Sequence, residues 1–173
     1  MAAARLNPAV RRPMLVLLAA LVALQTAPAA ATPGRLTDPE IRAFMVRQEA
    51  AWNARDGRAY FASFAPRARF VEQGRTNAGG IMRYGSSTLE EARRYAARFF
   101  AGPAARDRTT ITAIVVAADG RSADVAGQKL TTLAGGRRRC AEVRQTLTLV
   151  AGRIQSLGET STAIRCRDAS RSP

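Results

Sequence analysis

The segment that most constrains the fold runs from Ile41 to Val71, because its hydrophobic periodicity changes twice within a short distance. The first half predicts an amphipathic helix whose buried face is formed by Ile41, Phe44, Met45, Gln48 and Trp52. A break at Asp56-Gly57 follows, where Asp56 is suited to cap a short aromatic helix. Residues 68–72 then predict a strand. The helices therefore need a sheet to cover their apolar faces.

The rest of the chain supplies that sheet. A capping box from Ser87 to Glu90 predicts a third helix, which Gly102-Pro103 ends. From Thr109 onward, strand-like segments are separated by turn signals at Asp119-Gly120, Gly135-Gly136 and Ala151-Gly152. Helices followed by an antiparallel meander indicate an α+β fold, with three N-terminal helices packed on a curved antiparallel sheet.

The N-terminus has the pattern of a secretory signal peptide. Arginines precede an uninterrupted apolar run, Met14 to Leu24, and a small-residue stretch follows at residues 27–31. We therefore predict cleavage after Ala31 and a secreted or periplasmic protein. The apolar run is shorter than the roughly 20 residues that span a bilayer, so no membrane anchor is expected.

This assignment divides the chain into four parts. Residues 1–31 are the predicted signal peptide, residues 32–36 a flexible lead, residues 37–166 one folded domain, and residues 167–173 a loose tail.

Composition excludes several kinds of chemistry. The chain has no histidine and only two cysteines, so it lacks the residues for His-based catalysis and for a tetrahedral thiolate site, and neither metal nor cofactor is expected. Its 27 basic and 13 acidic residues favour polyanionic partners in principle. The arginines are scattered, however, and Lys129 is the single lysine. A solvated arginine-rich surface is the better interpretation, and no nucleic-acid partner is expected; a module that binds anionic surfaces is a third alternative.

The two cysteines should be oxidised together after export. A tight turn at Ala151-Gly152 would place Cys140 opposite Ala163. Cys166 would then lie about 10 Å further along the strand, beyond the roughly 7 Å limit for bridged Cα atoms. The predicted disulfide between Cys140 and Cys166 therefore requires a bulge, or a bend after Thr162.

Two sequence stretches resemble the nuclear transport factor two-like superfamily, which includes SnoaL-like and ketosteroid isomerase-like proteins. They are Trp52-Asn-Ala-Arg-Asp56-Gly-x-x-Tyr60 and Phe64-Ala-Pro-Arg-Ala-Arg-Phe70, and the final hairpin at residues 151–154 is also similar. The resemblance covers essentially all of the chain after residue 31. It implies a cone whose concave sheet and helices enclose an apolar pocket, often in a homodimer.

The isomerase pattern can be compared with this sequence position by position. In an alignment without gaps, the resemblance places Glu72 at the position of the isomerase's carboxylate base. Gln48 falls at the position of its oxyanion tyrosine, and Arg144 near the position of its protonated acid. An enolate would lack its stabilising donors there, so steroid isomerase activity is rejected.

Other candidate site residues depend on strand register, because one residue of slip reverses the faces of a strand. If Glu142 and Arg144 face the pocket, they could bind an anionic ligand or activate water; the alternative is a solvent-facing charged row. Glu159 has the same ambiguity. The candidate pocket aromatics, for which core packing is the competing role, are Trp52, Tyr60, Tyr84 and Tyr95.

The sequence thus predicts an exported domain that binds a small apolar ligand or a protein partner. The alternative is a lyase or isomerase that uses Glu72 as general base, with Arg144 or Tyr60 as donor. Whether the protein is an enzyme is left open at this stage.

Overall fold

Residues 34–166 are described in the computed structural model of the protein. The predicted signal peptide, residues 1–31, and the predicted tail, residues 167–173, lie outside the described residues. Within residues 34–166, no helix combines the length and the apolar character needed to cross a membrane.

Three α-helices, six strands and a short 3-10 helix, Ala134–Gly136, make up the described part of the domain. The helices are α1 (Asp38–Asn53), α2 (Gly57–Ala62) and α3 (Leu89–Ala101). The strands are β1 (Phe64–Arg75), β2 (Ile81–Thr88), β3 (Arg106–Val116), β4 (Ser122–Thr132), β5 (Arg138–Val150) and β6 (Arg153–Ile164). The fold is α+β, as predicted, and the helices cover one side of a curved sheet.

The sheet is mixed, which corrects the prediction of an antiparallel one. Its strand order is β2-β1-β6-β5-β4-β3, and β1 runs parallel to β6. The remaining neighbouring pairs are antiparallel. The chain also forms β1 and β2 before α3, so two strands lie between the second and third helices. Strand β2 was not predicted, because residues 73–85 show little hydrophobic periodicity in the sequence.

The two longer helices each begin with a capping box. Thr37 precedes α1, and its backbone N and side-chain Oγ1 donate to the Glu40 carboxylate at 3.1 and 2.6 Å. The capping box of α3 pairs Thr88 with Glu91, one residue later than predicted. In both cases the acidic partner also lies in the first helical turn, where the helix dipole favours negative charge.

Two hydrophobic clusters hold the layers together. The first packs α1 on β4 and β5, with Ile41 and Leu147 both fully buried. The second is aromatic and joins α2, α3 and β1 around Tyr60, Phe61 and Phe64. The amphipathic face predicted for α1 is confirmed, since Ile41, Phe44, Met45 and Gln48 are buried.

The segment before α1 is held against the sheet. Leu36 is 4% exposed, and its backbone N donates to the Gly120 carbonyl at 2.7 Å. The Arg35 guanidinium donates to the Ala118 carbonyl at 2.8 Å. The prediction of a flexible lead is therefore wrong for Arg35 and Leu36, and residues 32 and 33 lie outside the described residues.

A bulge in β6 sets the register of the last hairpin. The turn pairs Val150 with Arg153, as predicted. Two residues, Leu157 and Gly158, then occupy the space opposite one residue of β5, so Cys140 faces Ile164 instead of Ala163. This extra residue brings Cys166 closer to Cys140 than a regular hairpin would allow.

The disulfide between Cys140 and Cys166 is present, with the Cα atoms 5.0 Å apart. The bulge removes one residue of the offset, and the chain leaves β6 after Ile164, two residues before Cys166. The bridge ties the chain that follows β6 to the start of β5.

Replacing both Cys140 and Cys166 with serine is expected to lower the free energy of unfolding by about 3 kcal/mol, because the bridge closes a loop of 26 residues in the unfolded chain. Urea denaturation followed by tryptophan fluorescence measures the change. The unmutated protein in a reducing agent should unfold at the same urea concentration as the double variant. Equal stability of oxidised protein and variant would contradict the prediction.

Candidate functional site

A cavity of about 630 Å³ lies between the concave face of the sheet and the helices. Seven aromatic side chains from the three helices and from β1 and β2 form part of its walls, beside polar side chains from β3 to β6. Six of these lining residues are Trp52, Tyr60, Phe61, Phe70, Tyr84 and Tyr95. The cavity is open to solvent on one side, which makes its interior accessible to a small molecule.

The predicted pocket aromatics divide between the wall and the mouth. Trp52 packs on Tyr60 with ring centroids 4.8 Å apart, so these two residues combine core packing with a place on the cavity. Tyr84 and Tyr95 line the mouth and are each 61% exposed. The structure therefore brings all four together around one cavity.

A partly buried ion pair crosses the sheet at the cavity floor. Lys129 on β4 donates to the Glu159 carboxylate on β6 at 2.5 Å, and their side chains are 20% and 12% exposed. The lysine stem reaches over β5, where small residues, Ala141 and Val143, face the cavity. The single lysine of the chain is thus placed inside the fold, while the arginines carry most of the surface charge.

Glu159 faces the cavity because of the β6 bulge. Before the bulge, Ser156 is the inward residue and lies opposite Leu147; after it, Glu159 lies opposite Gln145. A regular strand would keep one parity and turn Glu159 to the other face. The bulge therefore resolves the ambiguity in its orientation and creates the partner for Lys129.

The charges around Lys129 stabilise its protonated form. Burial alone would lower the pKa of Lys129, but the charge and hydrogen bond of Glu159, with the charges of Asp107 and Glu49, outweigh burial and raise it. This amine is held as an ammonium ion, so it acts here as a fixed positive charge and not as a nucleophile.

Two buried glutamines extend the polar floor. Gln145 Nε2 donates at 3.0 Å both to Gln48 Oε1 and to the Glu159 carboxylate. Gln48 Nε2 donates in turn to Ser63 Oγ at 2.9 Å. Gln145 is 4% exposed, yet its Oε1 atom has no hydrogen-bond partner. The network leaves one acceptor free in the cavity.

Helix α1 positions the edge strand β3 next to this network. Asn53 exchanges two hydrogen bonds of 2.8 Å with the backbone of Asp107, and the Glu49 carboxylate accepts from the Thr109 backbone N. These side chains satisfy backbone groups that an edge strand otherwise leaves unpaired. Asp107 is thereby fixed at the cavity, where its buried Oδ1 atom has no hydrogen-bond partner.

The cavity is an unfavourable place for further negative charge. Burial raises the pKa of Asp107, while a hydrogen bond from Thr131 and the charge of Lys129 oppose the rise. Burial also raises the pKa of Tyr60 well above its usual value, and the charges of Glu159 and Asp107 add to the effect. Asp107 thus carries a free energy cost when it ionises in the folded protein.

Asp107→Asn is expected to increase the stability at neutral pH by about 1 kcal/mol, because it removes an incompletely paired buried carboxylate. The folded-state pKa is raised, so the cost is absent below the ordinary aspartate pKa and grows as pH rises through the raised one. Thermal unfolding of both proteins between pH 3 and pH 8 tests this. A gain that is largest at acidic pH would contradict it.

Three predicted site residues lie elsewhere than the cavity interior. Glu72 is at the mouth and exposed, so the desolvation expected to make it a strong base is absent. Glu142 and Arg144 do not line the cavity, since they alternate with the inward residues of β5. Glu142 instead pairs with Arg75 at 2.8 Å, with 41% of its side chain exposed. Their proposed pocket contacts are therefore corrected to the solvent-facing charged row.

The interior residues Asp107 and Glu49 were missed in the sequence. Asp107 precedes a β-branched strand, where an acid usually marks a surface turn. The sequence analysis assigned no site role to Lys129. The available signal was that the single lysine of the chain lies within a predicted strand, whereas the other basic residues are arginines.

Fold and cavity together define a cone-shaped α+β domain with an open cavity on the concave side of its sheet. No family model and no curated protein matches the sequence. Solved structures do match: a nuclear transport factor two-like protein of unknown function from Shewanella oneidensis is 16% identical, with a TM-score of 0.57, over 72% of this chain and 97% of that one. The structural similarity shows that this chain has the nuclear transport factor two-like fold, as its resemblance implied.

Two further solved structures support the same fold. A protein with a cystatin-like fold from Nostoc punctiforme is 19% identical, with a TM-score of 0.54, over 76% of this chain and 96% of that one. A nuclear transport factor two-like protein from Cytophaga hutchinsonii is 11% identical, with a TM-score of 0.56, over 75% of this chain and 100% of that one. At these identities the similarity concerns the fold alone.

Proposed function

We propose that the protein binds a small, largely apolar ligand in this cavity. The observation that carries the proposal is an accessible cavity of about 630 Å³ with aromatic walls and two buried acceptors, Asp107 Oδ1 and Gln145 Oε1, that no protein group satisfies. Aromatic walls supply the affinity for an apolar body, and a few fixed polar atoms orient it. Buried polar atoms without partners are rare in folded proteins, and a bound molecule explains these two.

The proposed site of action is outside the cytoplasm. The charged, apolar and small-residue regions at residues 1–31 support export. The Cys140–Cys166 disulfide agrees with an oxidising compartment. Mass spectrometry of protein released by a secreting host tests the cleavage after Ala31.

The general-base alternative at Glu72 has weaker support. An exposed carboxylate at the mouth lacks the desolvation that raises basicity. A protein partner or a homodimer is the other alternative, and the exposed apolar side chains of Ile81 and Met82 on edge strand β2 favour it over Glu72 chemistry. Native mass spectrometry separates a ligand-bound monomer from a ligand-free dimer.

Trp52 offers a direct test of ligand binding, because the only tryptophan of the chain lies in the cavity wall. Titration with phenylbutanol, an apolar probe with one polar end, is expected to change its fluorescence with saturation. Ala92→Phe places a ring in the cavity from α3 and should weaken binding at least about tenfold, because the probe can then bury less of its own apolar surface.

Ala97→Phe is the matched control, because Ala97 is an exposed residue of the same helix and does not line the cavity. Its affinity for phenylbutanol should equal that of the unmutated protein, with both variants checked for folding by circular dichroism. Absence of saturable binding, or equal affinity in Ala92→Phe, would overturn the proposed function.

A further inference from the structure

The unsatisfied hydrogen-bonding atoms of the cavity are all of one kind. Among the described residues, the buried side-chain atoms without partners are Asp107 Oδ1 and Gln145 Oε1, and both are acceptors. A buried acceptor without a donor carries a desolvation cost that a suitable ligand group would remove. The polar end of a ligand that satisfies them must therefore donate hydrogen bonds.

The charged side chains inside the cavity are mostly negative. Three carboxylates, Glu49, Asp107 and Glu159, line its interior beside a single cation, Lys129. At the mouth, Glu72 and Arg139 offset each other. This local excess of acids reverses the balance of the whole chain, which has 27 basic and 13 acidic residues. A negative interior in a positively charged protein favours a cationic group at this place.

Lys129 does not pair with all three carboxylates of the cavity. Lys129 donates to Glu159 at 2.5 Å, while Asp107 Oδ1 remains without a partner. The Glu49 carboxylate is engaged with the Thr109 backbone N on the edge strand. Asp107 is therefore the carboxylate left available for a ligand.

The wall is suited to a cation as well. Trp52 and Tyr60 stand in the wall of the same cavity, and Tyr95 stands at its mouth. Aromatic faces attract ammonium groups through their quadrupoles, most strongly where water is excluded. An alkyl or aryl body of the ligand can pack on the same rings.

We propose that the ligand is an amine: a small, largely apolar molecule whose protonated amino group donates to Asp107 and Gln145. This inference rests on the proposed function and names the chemical class that the cavity selects. A carboxylic acid of the same size is disfavoured, because it would bring a fourth negative charge into the interior and would satisfy neither acceptor.

Three probes of matched size test the inference: phenylbutylamine, phenylbutanol and phenylbutyrate. Their affinities are measured by isothermal titration calorimetry at neutral pH and constant ionic strength. Phenylbutylamine is expected to bind about tenfold more tightly than phenylbutanol, as a hydrogen bond to a charged group predicts, and phenylbutyrate is expected to bind most weakly.

Asp107→Asn should remove the preference for the amine and change the affinity for phenylbutanol less than about threefold, since it deletes one charge and keeps the shape. Because this variant is expected to be the more stable protein at neutral pH, unfolding does not explain a loss. Asp124→Asn is the matched control. Asp124 is exposed on β4, accepts a hydrogen bond from the Thr146 hydroxyl, and does not line the cavity. It should keep the full preference.

The outcomes separate the inference from the proposed function. If phenylbutanol binds in the cavity and phenylbutylamine binds no more tightly, the inference is overturned and ligand binding stands. If phenylbutyrate binds most tightly, Lys129 governs the polarity of the site and the inference is also overturned. If no probe binds, the proposed function fails, and the inference fails with it.

Discussion

Gly158→Ala is expected to lower the free energy of unfolding by about 4 kcal/mol or more, among the largest effects of a single substitution. Gly158 has a φ of +133°, a backbone conformation that residues with a side chain rarely adopt. An added methyl group would also overlap the backbone of Arg69 on the parallel strand β1. The clash involves main-chain atoms on both strands, so no side-chain rotation relieves it.

Urea denaturation of the purified variant measures this effect. Gly85→Ala is the matched control, because Gly85 also lies in a strand, has an ordinary φ, and offers open space for a methyl group. It should change stability by no more than about 1 kcal/mol. If the two variants unfold at similar urea concentrations, the structure assigned to the β6 bulge is wrong.

Lys129→Met is expected to destabilise the protein by about 3 kcal/mol at neutral pH, because it leaves Glu159 charged and largely buried without its partner. Asp107 and Glu49 line the same cavity, so three carboxylates would lose their common counter-charge. The double variant Lys129→Met with Glu159→Gln should recover most of the loss, since Gln can still accept from Gln145. A double-mutant cycle of unfolding free energies gives the interaction energy between Lys129 and Glu159.

Arg75→Met provides the comparison at the surface. Arg75 and Glu142 form an ion pair of 2.8 Å, with side chains 51% and 41% exposed. Water screens this pair, so its loss should cost less than about 1 kcal/mol. Equal costs for Lys129→Met and Arg75→Met would contradict the difference in burial on which the prediction depends.

Local signals were sufficient for much of the fold. The helical spacing from Ile41 to Trp52, the Asp56 cap and the turn at Ala151-Gly152 all act over a few residues. Their interpretation succeeded because capping and periodicity depend on near neighbours in the chain. The sequence did not predict strand β2. Its apolar and polar residues are mostly exposed and do not alternate clearly, so this edge strand lacks such a local pattern.

The parallel pairing of β1 with β6 shows where local signals end. These strands are far apart in the sequence, and each has the composition of an ordinary antiparallel strand. Their mutual direction follows from how the whole chain closes around the helices, which depends on every intervening element. The sequence therefore predicted the α+β class but not the mixed sheet.

The cavity floor depends on the same kind of information. Helical spacing alone put Gln48 on the inner face of α1, and the structure places it in the network as expected. Glu159 was ambiguous, because its direction depends on the parity of β6. The bulge at Leu157–Gly158 shifts that parity, and the same extra residue brings Cys166 within reach of Cys140.

The class of the domain, its main helices and turns, and the residues that could carry chemistry can be predicted from the sequence alone. Which of those residues meet depends on the tertiary structure: Glu72, Glu142 and Arg144 remain at the surface, while Asp107, Lys129 and Glu159 share the cavity. The physical reason is that side-chain direction in a sheet alternates with every residue. Within β6, the bulge that brings Gly158 close to a distant strand reverses which residues face inward beyond it, and it turns Glu159 into the cavity.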